Sequence, residues 1–462
     1  MGAEDGGYEP RLAEHFLIQQ TTPIRYCLIS TPSPCCAAPT NHTLPCDDRE
    51  TTRAEITKSI DDLLAPIRSY NHMESLLLNR TLGNISHENF RKVATESLYY
   101  RIGPLNEPKF PLRKRPVPIT CLNFNTSKVR RHEYLLSGDA GSSLKLWKVG
   151  SQRAKTEMLG DINKGNGGHK FGITYVQWWP FDDGMFLSSS YDTSLKVWDS
   201  STLEEAFTFE LGMKINNFDI SPLGDSLIAV GCDSTHVRIM DLRSTSSVQS
   251  LSGHNGTVLS CKWSPTDGNI LATGSSEGEV RLWDVRKTNA CVTQLDLYRT
   301  DKDGAIAKNQ SKRIGVLKSS AKAHSSNCNG ICWLENGKTL LTTGGDDKIR
   351  VWNLDIPGGV NTLLNFGQFV KNKSPVYKTM ILSPNCETEV QYLWYPSDNG
   401  EILVFRLMDG KLMNRLRRNI EDNVRSTSVA YLGHNSVKYF SGTVDGRILA
   451  WGPTSEETSD TE

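Results

Sequence analysis

The sequence predicts an all-β protein, a seven-bladed β-propeller preceded by an N-terminal helical pair. The first observation is a unit that recurs seven times after about residue 116. The second is a constant interval within the unit, since 20 residues separate Trp178 from Trp198 and 20 separate Trp263 from Trp283. The third is the distribution of tryptophan, because all 10 lie beyond residue 146. The repeats are therefore expected to contain the main hydrophobic core.

Each repeat has the pattern of short β-strands. Apolar Leu195 and Val197 alternate with Lys196, which is the period of a half-buried strand, and turns with Pro or Gly interrupt such runs. Three or four strands in about 40–45 residues is the size of a propeller blade. The propeller is expected to span residues 116–453, with a basic insertion at about 295–323. The closing anchors of the seven units are Trp147, Trp198, Met240, Trp283, Trp352, Phe405 and Trp451.

The region before the repeats divides into two parts. Residues 1–55 are rich in Pro, Thr, Ser and Cys without any strand or helix period, so we expect disorder there. Residues 56–115 contain a weak helix candidate, ITKSIDDLLAPIR, then two better ones, HMESLLLNRTLG and SHENFRKVATESLYYRI, and a linker. Gly83 separates the last two, and Ser86 is the expected N-cap of the second. The acidic tail, residues 454–462, is also expected to be disordered.

Composition and charge exclude several classes of protein. The chain has 52 Lys plus Arg and 52 Asp plus Glu, so direct binding of nucleic acid or of an anionic membrane is not its expected role. No run of 18 apolar residues predicts a membrane span, and the first residues lack the pattern of a secretory signal. The 11 cysteines have no framework spacing, which fits a reducing compartment. These features predict a soluble intracellular protein.

The repeats resemble WD repeats. Gly168-His169, Gly253-His254 and Ala323-His324 occupy the position of the Gly-His pair of that repeat. The resemblance implies that such a histidine joins a carboxylate, a Ser or Thr and the closing Trp in a buried hydrogen-bond network. In the fourth unit, Glu277 is expected to replace the aspartate. The residues assigned to the network are His169, Asp192, Trp198, His254, Trp283, His324, Asp346, Trp352, Asp445 and Trp451.

Catalysis is not expected from this sequence. His169, Ser188 and Asp192 have the residue types of a catalytic triad, but the structural network accounts for all three. Elsewhere the sequence shows no nucleophile–base pair, phosphate-binding loop or regular set of metal ligands. We therefore expect a binding protein without enzymatic activity, cofactor or metal.

A longer stretch resembles one particular family. MESLLLNRTLGNISHENFRKVATESLYYRI, VQWWPFDDGMFLSSSYDTSLKVWD, WSPTDGNILATGSSEGEVRLWDVR and NTLLNFGQ are similar, in this order, to the Cockayne syndrome group A family and its fungal members. The similar region runs from about Met73 to Pro453, so Met73 is a possible alternative start. The resemblance implies a nuclear substrate receptor of a cullin-4 RING ubiquitin ligase, acting in transcription-coupled nucleotide excision repair. Its substrate would be RNA polymerase II or a repair factor.

The same resemblance implies where the ligase adaptor, a damaged-DNA-binding protein 1 type of propeller, would bind. Trp283-Asp284-Val285-Arg286 is a complete WDxR box, and Met240-Asp241-Leu242-Arg243 is a degraded one. The second helix of the helical pair needs a groove in which to bury one stripe of its surface. This stripe consists of Phe90, Val93, Ala94, Ser97, Leu98 and Arg101. The alternative is that this stripe packs on the underside of the propeller itself. The residues assigned to adaptor binding are Leu76, Leu77, Phe90, Arg91, Val93, Arg243 and Arg286.

Other features are weaker candidates. Cys27, Cys35, Cys36, His42 and Cys46 include zinc-binding residue types, but their spacing matches no regular site. Residues 113–115 are either a nuclear-import signal or a solvated linker, and the basic insertion is expected to be a flexible loop. If the chain is not a ligase receptor, the alternative is a general nuclear WD-repeat scaffold for another multiprotein complex.

Overall fold

A computed structural model of the chain describes residues 72–106, 109–110, 116–125, 134–150, 156–287, 291–300, 321–367, 369–385, 388, 390–417, 424–433 and 437–454. These residues all belong to the second of two compact units, Ile67–Glu462. Several expectations lie outside the described residues. They concern residues 1–55, the weak helix candidate, the basic triplet 113–115, most of the insertion, and the acidic tail after residue 454.

The described residues form two α-helices, one short 3-10 helix (Lys164–Asn166) and 28 strands. Helix α1 is His72–Thr81, and helix α2 is His87–Tyr100. Ser86 caps α2 as expected, because its side chain accepts a hydrogen bond from the backbone N–H of Asn89. Gly83 lies between the helices with φ +77°, a conformation that glycine adopts without strain. The predicted helical pair is confirmed.

The strands form seven antiparallel sheets of four strands each, so the predicted seven-bladed propeller is confirmed. Blades 1 and 2 comprise β2 (Ile119–Phe124), β3 (Tyr134–Asp139), β4 (Leu144–Lys148), β5 (Glu157–Ile162), β6 (Ile173–Trp178), β7 (Met185–Ser190), β8 (Ser194–Asp199) and β9 (Glu205–Glu210). Blades 3 and 4 comprise β10 (Ile215–Ile220), β11 (Leu227–Cys232), β12 (His236–Asp241), β13 (Ser246–Ser252), β14 (Val258–Trp263), β15 (Ile270–Ser275), β16 (Val280–Asp284) and β17 (Cys291–Gln294).

The remaining blades follow the same order. Blades 5 and 6 comprise β18 (Cys328–Trp333), β19 (Thr339–Gly344), β20 (Lys348–Asn353), β21 (Val360–Asn361), β22 (Ile381–Leu382), β23 (Tyr392–Pro396), β24 (Ile402–Arg406) and β25 (Leu412–Leu416). Blade 7 comprises β26 (Ser426–Tyr431), β27 (Tyr439–Thr443), β28 (Ile448–Pro453) and, as its outermost strand, β1 (Ile102–Leu105). Each closing anchor of the sequence lies in the third strand of its blade.

Strand β1 closes the ring of blades. It precedes blade 1 in the chain but pairs with β28 of blade 7, where Ile102 lies opposite Pro453 and Leu105 opposite Ala450. Blades 7 and 1 also meet through their first strands, β26 and β2. The last blade therefore joins the segment that follows α2 directly, and the ring has no open edge between its first and last blades.

The core lies within and between the blades. Trp198, Trp283, Trp352, Trp394 and Trp451 are completely buried. Trp283 of blade 4 belongs to one hydrophobic cluster with Val237 and Ile239 of blade 3, so a closing tryptophan packs against the neighbouring blade. No helix in the described part of the chain is long and apolar enough to cross a membrane.

The alternating strand directions define two faces of the propeller. We call the lower face the one that carries the turns between first and second strands and between third and fourth strands of each blade. The upper face carries the turns between second and third strands and the connections from one blade to the next. Every turn can therefore be assigned to a face from its position in the strand order.

Candidate protein-interaction surface

The polar network of blade 2 is complete and buried. The imidazole of His169 contacts Asp192 through Nδ1 (2.9 Å) and Ser188 Oγ through Nε2 (2.7 Å). Trp198 Nε1 donates to the same Ser188 Oγ at 2.7 Å. Burial alone would raise the pKa of Asp192, but hydrogen bonds from His169 and Ser194 outweigh it and lower that pKa. The network joins the second and third strands to the loop that enters the blade.

This arrangement does not form an accessible catalytic site. Ser188 Oγ lies within hydrogen-bond distance of a histidine that in turn contacts a carboxylate, as in a triad. However, Ser188 is completely buried, and its oxygen also accepts the hydrogen bond from Trp198. A substrate carbonyl cannot reach a hydroxyl in this position, so the geometry supports a structural role.

In blade 4 the carboxylate differs from the one that spacing indicates. His254 Nδ1 contacts Glu279 Oε2 at 3.2 Å, and its Nε2 contacts Thr273 Oγ1 at 2.7 Å. Glu277, expected in the network, is instead half-exposed and pairs with Lys322 at 3.3 Å. The assignment of Glu277 was therefore wrong. The longer glutamate side chain reaches the histidine from a position two residues later than the aspartate of blade 2.

Burial and hydrogen bonding set the charges of the blade 4 network. Burial alone would raise the pKa of Glu279, but hydrogen bonds from His254 and the backbone N–H of Asn255 outweigh it and hold that pKa at about 2. Burial also lowers the pKa of His254, against the opposing effect of Glu279. The carboxylate is thus ionised at neutral pH, and all its contacts lie inside the blade.

Blade 5 has the aspartate version of the network, and blade 7 a reduced one. His324 contacts Asp346 at 2.9 Å and Thr342 Oγ1 at 2.8 Å, and Trp352 Nε1 donates to that Thr342 Oγ1. In blade 7, Trp451 Nε1 donates to Ser441 Oγ at 2.8 Å. Asp445 there pairs with Arg447 at 2.9 Å and accepts a hydrogen bond from Thr443. The contacts of the histidine and of the two tryptophans are internal and stabilise their blades, whereas the Asp445–Arg447 pair is partly exposed.

The helical pair is attached firmly to the lower face of blades 6 and 7. The ring of Tyr99 stacks on Tyr392 with 3.8 Å between ring centroids, and its hydroxyl lies 3.1 Å from that of Tyr439. Asn414 Nδ2 donates to the backbone carbonyls of Tyr99, Tyr100 and Ile102. Because α2 leads into β1, the helix end and the closing strand form one packed unit.

The buried side of α2 is not the stripe that the sequence indicated. The residues of α2 that are fully buried are Glu96 and Tyr99, whereas Phe90 and Val93 are half-buried. Glu96 is buried because it pairs with Arg406 of blade 6 at 3.2 Å. The expected apolar stripe was therefore only partly correct, since a helical pattern cannot show that a glutamate will meet a buried arginine. The C-terminal end of α2 does pack on the propeller, as the alternative interpretation proposed.

Helix α1 leaves apolar side chains exposed. Leu76 is buried, whereas Leu77, Leu78 and the following Leu82 are largely exposed. On α2, Arg91 is exposed, and Phe90 lies under the guanidinium of Arg80, with 4.9 Å from Arg80 Cζ to the ring centroid. Leu78 and Leu82 were missed as candidates, although the run Leu76–Leu78 was an available signal for Leu78, and Leu82 follows it one helical turn later. Three exposed leucines within six residues of the chain indicate a surface that a partner can cover.

The two box arginines lie on the lower face, in the turns after the third strands of blades 3 and 4. Arg286 donates to both oxygens of Asp284, from Nε at 3.0 Å and from Nη2 at 3.1 Å. This hydrogen bond outweighs burial, which alone would raise the pKa of Asp284, and holds that pKa at about 2. The guanidinium of Arg243 contacts Asp241 through Nε alone, at 3.5 Å, although its backbone N–H also donates to Asp241 at 2.9 Å. The complete box thus orients its arginine more tightly than the degraded one does.

The structure places the helical pair and the arginines on the same face. Tyr392, Tyr439 and Asn414 lie at strand ends on the lower face of blades 6 and 7. Arg243 and Arg286 lie on the lower face of blades 3 and 4, across the ring. A partner that contacts both must therefore be broad enough to span this face, as a folded domain is.

Metal binding finds no support within the described ranges. There, no group of three or more His, Cys, Asp or Glu side chains is placed to hold a metal ion. Cys328 and Cys332 lie on β18 as free thiols, and burial raises the pKa of Cys332 to about 11. The cluster of Cys27 and its neighbours lies outside the described residues.

Comparison with known proteins agrees with this architecture. Residues 163–199, 245–284 and 315–353 match the family "WD domain, G-beta repeat". The chain is 29% identical over 311 residues to Radiation-sensitive protein 28 of Saccharomyces cerevisiae, covering 63% of this chain and 60% of that protein. It is 28% identical over 393 residues to WD repeat-containing protein ATCSA-1 of Arabidopsis thaliana, covering 69% of this chain and 82% of that protein.

More distant relatives share the repeats. The Periodic tryptophan protein 1 homolog of Drosophila melanogaster is 25% identical over 214 residues, 45% of this chain and 40% of that protein. Its shorter match contrasts with the match to ATCSA-1, which extends over most of the propeller. The seven blades, the WD domain matches and the two more similar relatives show that this chain is a WD-repeat propeller protein similar to the Cockayne syndrome group A family.

Proposed function

We propose that this chain is a non-catalytic substrate receptor of a cullin-4 RING ubiquitin ligase, acting in the nucleus in transcription-coupled nucleotide excision repair. The observation that carries the proposal is the helical pair, which is fixed to the propeller through Tyr99 and still exposes Leu77, Leu78 and Leu82. An exposed apolar surface on a rigid support is what a constitutive docking partner requires.

The adaptor would bind the lower face. We assign it to a damaged-DNA-binding protein 1 type of propeller, as the sequence resemblance implies. Covering a leucine side chain contributes about 1.5–3 kcal/mol relative to leaving it in water, so the leucines of α1 would supply most of the affinity. Arg286, already oriented by Asp284, would add a directional contact to an acceptor on the adaptor. Arg243 would add less, because the single contact of its guanidinium leaves it less ordered.

The repair context is supported by the relatives. One is named for radiation sensitivity, and the longer match, to ATCSA-1, covers most of the propeller. In this proposal the upper face remains free for a substrate, which we assign to RNA polymerase II or a repair factor. Transfer of ubiquitin would belong to the cullin–RING partner, because the triad-like His169 and Ser188 of this chain are buried in a structural network.

The proposal is tested by measuring adaptor binding to a variant of helix α1. Leu77→Asp combined with Leu78→Asp is expected to abolish binding of purified damaged-DNA-binding protein 1, because both leucines are exposed and a charge cannot be buried against an apolar groove. Arg286→Ala should weaken binding by about tenfold, a loss of about 1.4 kcal/mol, and Arg243→Ala by less. Biolayer interferometry with the full chain measures each dissociation constant.

The control is Met158→Asp combined with Leu159→Asp, which adds the same two charges at exposed apolar residues of β5, outside the helical pair and the box arginines. It should bind the adaptor as the unchanged chain does, and all variants should keep the same melting temperature. Full binding by the Leu77/Leu78 variant would contradict the receptor proposal. The general nuclear scaffold would then be the better explanation, and proteins that co-purify with the chain from nuclei would identify its complex.

A further inference from the structure

The turn between the second and third strands of blade 6 carries two buried carboxylates. It comprises residues 397–401 on the upper face and contains Asp398 and Glu401. Glu401 directly precedes the third strand, which is the place that Glu279 occupies in blade 4. The connection that enters blade 6, residues 362–380, contains no histidine. The carboxylates of this turn therefore need partners of another kind.

Two arginines pair with Glu401. Arg415 of β25 donates to both carboxylate oxygens, from Nε at 3.1 Å and from Nη2 at 2.7 Å. Arg417 pairs with the same carboxylate. Arg415 also lies over the exposed ring of Phe369, with 4.4 Å from Arg415 Cζ to the ring centroid. One carboxylate thus fixes the positions of two guanidinium groups, and one positive charge is left unbalanced.

Asp398 holds a second group of cations. It pairs with the buried Lys378 and with Arg425, whose Nη1 lies 3.5 Å from Asp398 Oδ1. Its other oxygen accepts hydrogen bonds from the backbone N–H groups of Lys373 at 2.7 Å and of Ser374 at 3.0 Å. The connection into the blade is therefore fastened to this turn. Because two cations share one carboxylate, a second positive charge is unbalanced.

The carboxylates are hidden, and the arginines face the solvent. The side chains of Glu401 and Asp398 are 1% and 5% exposed, whereas the three arginines that pair with them are 40–47% exposed. Lys373 is exposed beside them. We call this area the blade 6 basic surface, and it consists of Phe369, Lys373, Arg415, Arg417 and Arg425.

The acidic residues around the blade 6 basic surface do not neutralise it. Asp347 of blade 5 pairs with Lys371 at 2.9 Å, and Asp445 of blade 7 pairs with Arg447 at 2.9 Å, so each has its own cation. Residues 418–423, which lie outside the described residues, add one arginine and two acidic residues. Five cations, Lys378 included, accompany the two buried carboxylates, so the surface stays positive when that segment is counted.

We infer that the blade 6 basic surface binds an acidic peptide segment of the ligase substrate, with an apolar residue of that segment against Phe369. The assignment of the segment to a ligase substrate rests on the proposed function. Guanidinium groups that buried carboxylates already orient lose little freedom when they bind a further acceptor. The surface lies on the upper face, so a segment bound there leaves the lower face to the adaptor.

A peptide fits this surface better than a nucleic acid does. Proteins that bind nucleic acid present an extended basic stripe that follows the phosphate backbone. Here the exposed cations surround a single turn, and the chain as a whole has 52 basic and 52 acidic residues. A local group of oriented cations with one aromatic ring complements a short acidic segment that also carries an apolar side chain.

The test measures binding of a fluorescent peptide to the full chain by fluorescence anisotropy. The probe contains several glutamates around one leucine, and a second peptide has glutamine in place of each glutamate. Arg417→Gln combined with Arg425→Gln removes two exposed charges but leaves one cation on each buried carboxylate, so blade 6 should stay folded. We expect the unchanged chain to bind only the glutamate peptide, and the variant to bind it at least about tenfold more weakly.

The matched control is Lys148→Gln combined with Lys338→Gln, which removes two exposed charges from the lower face of blades 1 and 5. It should bind the glutamate peptide as tightly as the unchanged chain does, and all variants should keep the same melting temperature. Equal binding of the peptide by the Arg417/Arg425 variant would overturn the inference. Tighter binding of a single-stranded DNA of the same net charge would also overturn it, in favour of a nucleic-acid surface.

Adaptor binding to the same proteins separates this inference from the proposed function. The Arg417/Arg425 variant should bind purified damaged-DNA-binding protein 1 as the unchanged chain does, because both changes lie on the upper face. If the adaptor binds the unchanged chain but the glutamate peptide does not, the inference is overturned and the proposed function stands. If the peptide binds as expected but the adaptor does not, the peptide surface is supported, and its assignment to a ligase substrate is overturned together with the proposed function.

Discussion

Glu279 accepts hydrogen bonds on both carboxylate oxygens inside blade 4. Oε2 contacts His254 and the backbone N–H of Asn255, and Oε1 accepts from Asn255 Nδ2 at 2.6 Å. The positively charged Arg281 also pairs with Glu279, with 3.5 Å between Arg281 Nε and Glu279 Oε2. A buried carboxylate is tolerated because these groups replace the water that it loses. Single residues of this kind therefore determine how stable each blade is.

We expect Glu279→Gln to lower the free energy of unfolding by about 1–3 kcal/mol, the usual loss when buried partners are left unsatisfied. Glu277→Gln is the matched control, because Glu277 is only two residues away but 53% exposed. Its effect should stay within about 0.5 kcal/mol. Urea unfolding followed by tryptophan fluorescence measures both. A larger loss for Glu277→Gln than for Glu279→Gln would mean that Glu277, as spacing first indicated, is the network carboxylate.

The pH dependence of stability has a defined sign at this residue. The pKa of Glu279 is lowered from 4.5 to about 2, so its contribution is fully present above pH 4.5 and is lost as the pH falls towards 2. Burial lowers the pKa of His254 and of His324 below 6.5, so protonation of the unfolded chain also removes stability below that pH. In the Glu279→Gln variant, the decrease below pH 4.5 should be smaller while the decrease between about pH 6.5 and 5 remains.

For the polar networks, the sequence indicated which types of residue take part better than it indicated their contacts. The positions of His169, His254 and His324 followed from the resemblance of the repeats to WD repeats, in which a Gly-His pair occupies this place. The carboxylate of blade 4 could not be identified in this way, because spacing along a chain does not show how far a longer side chain reaches.

Helix α2 both packs on the propeller and leads into the strand that closes it. Its end is held by the stacking of Tyr99 on Tyr392, by the Glu96–Arg406 pair and by Asn414. The next residues are the closing strand of the ring. Movement of the helix would therefore pull on blade 7. The sequence indicated both helices and the N-cap, but not the anchoring side, because that side is set by aromatic residues more than 290 positions later in the chain.

We expect Tyr99→Ala to lower the free energy of unfolding by about 3–5 kcal/mol, the usual range for deleting a large buried aromatic side chain. Tyr100→Ala is the matched control, since Tyr100 is the adjacent residue but is exposed. It should change stability by less than about 0.5 kcal/mol. Hydrogen exchange should also become faster in β1 for the Tyr99 variant only. Unchanged protection of β1 would show that the helix is not its anchor.

The propeller is a ring closed by strand β1, which precedes all the other strands in the chain. Seven units could be counted from the sequence because each blade repeats its own local pattern of anchors and turns. The sequence did not show which segment supplies the fourth strand of blade 7, because β1 is only four residues long and has no repeat of its own. Its identity depends on a pairing with β28 that no local pattern encodes.

Truncation at two points tests this closure. Removal of residues 1–55 together with 455–462 is expected to leave the melting temperature unchanged, because every described strand lies between Ile102 and Pro453. Removal of residues 1–105 takes away β1 and uncovers Tyr392 and the edge of β28, so the melting temperature should fall clearly. Calorimetry of both proteins measures the difference. A stable, cooperative protein without β1 would show that the ring does not need this strand.

The distant origin of the closing strand has a consequence for synthesis. Tyr99 and Tyr439 are 340 residues apart, so the ribosome makes the anchor long before its partner exists. At roughly 5–20 residues per second, this delay is on the order of 20 to 70 seconds. During that time Tyr99 and the unpaired strand β1 have no native neighbour in blade 7. A chaperone, or a binding partner that recognises α1 on the nascent chain, would protect them until the last blade emerges.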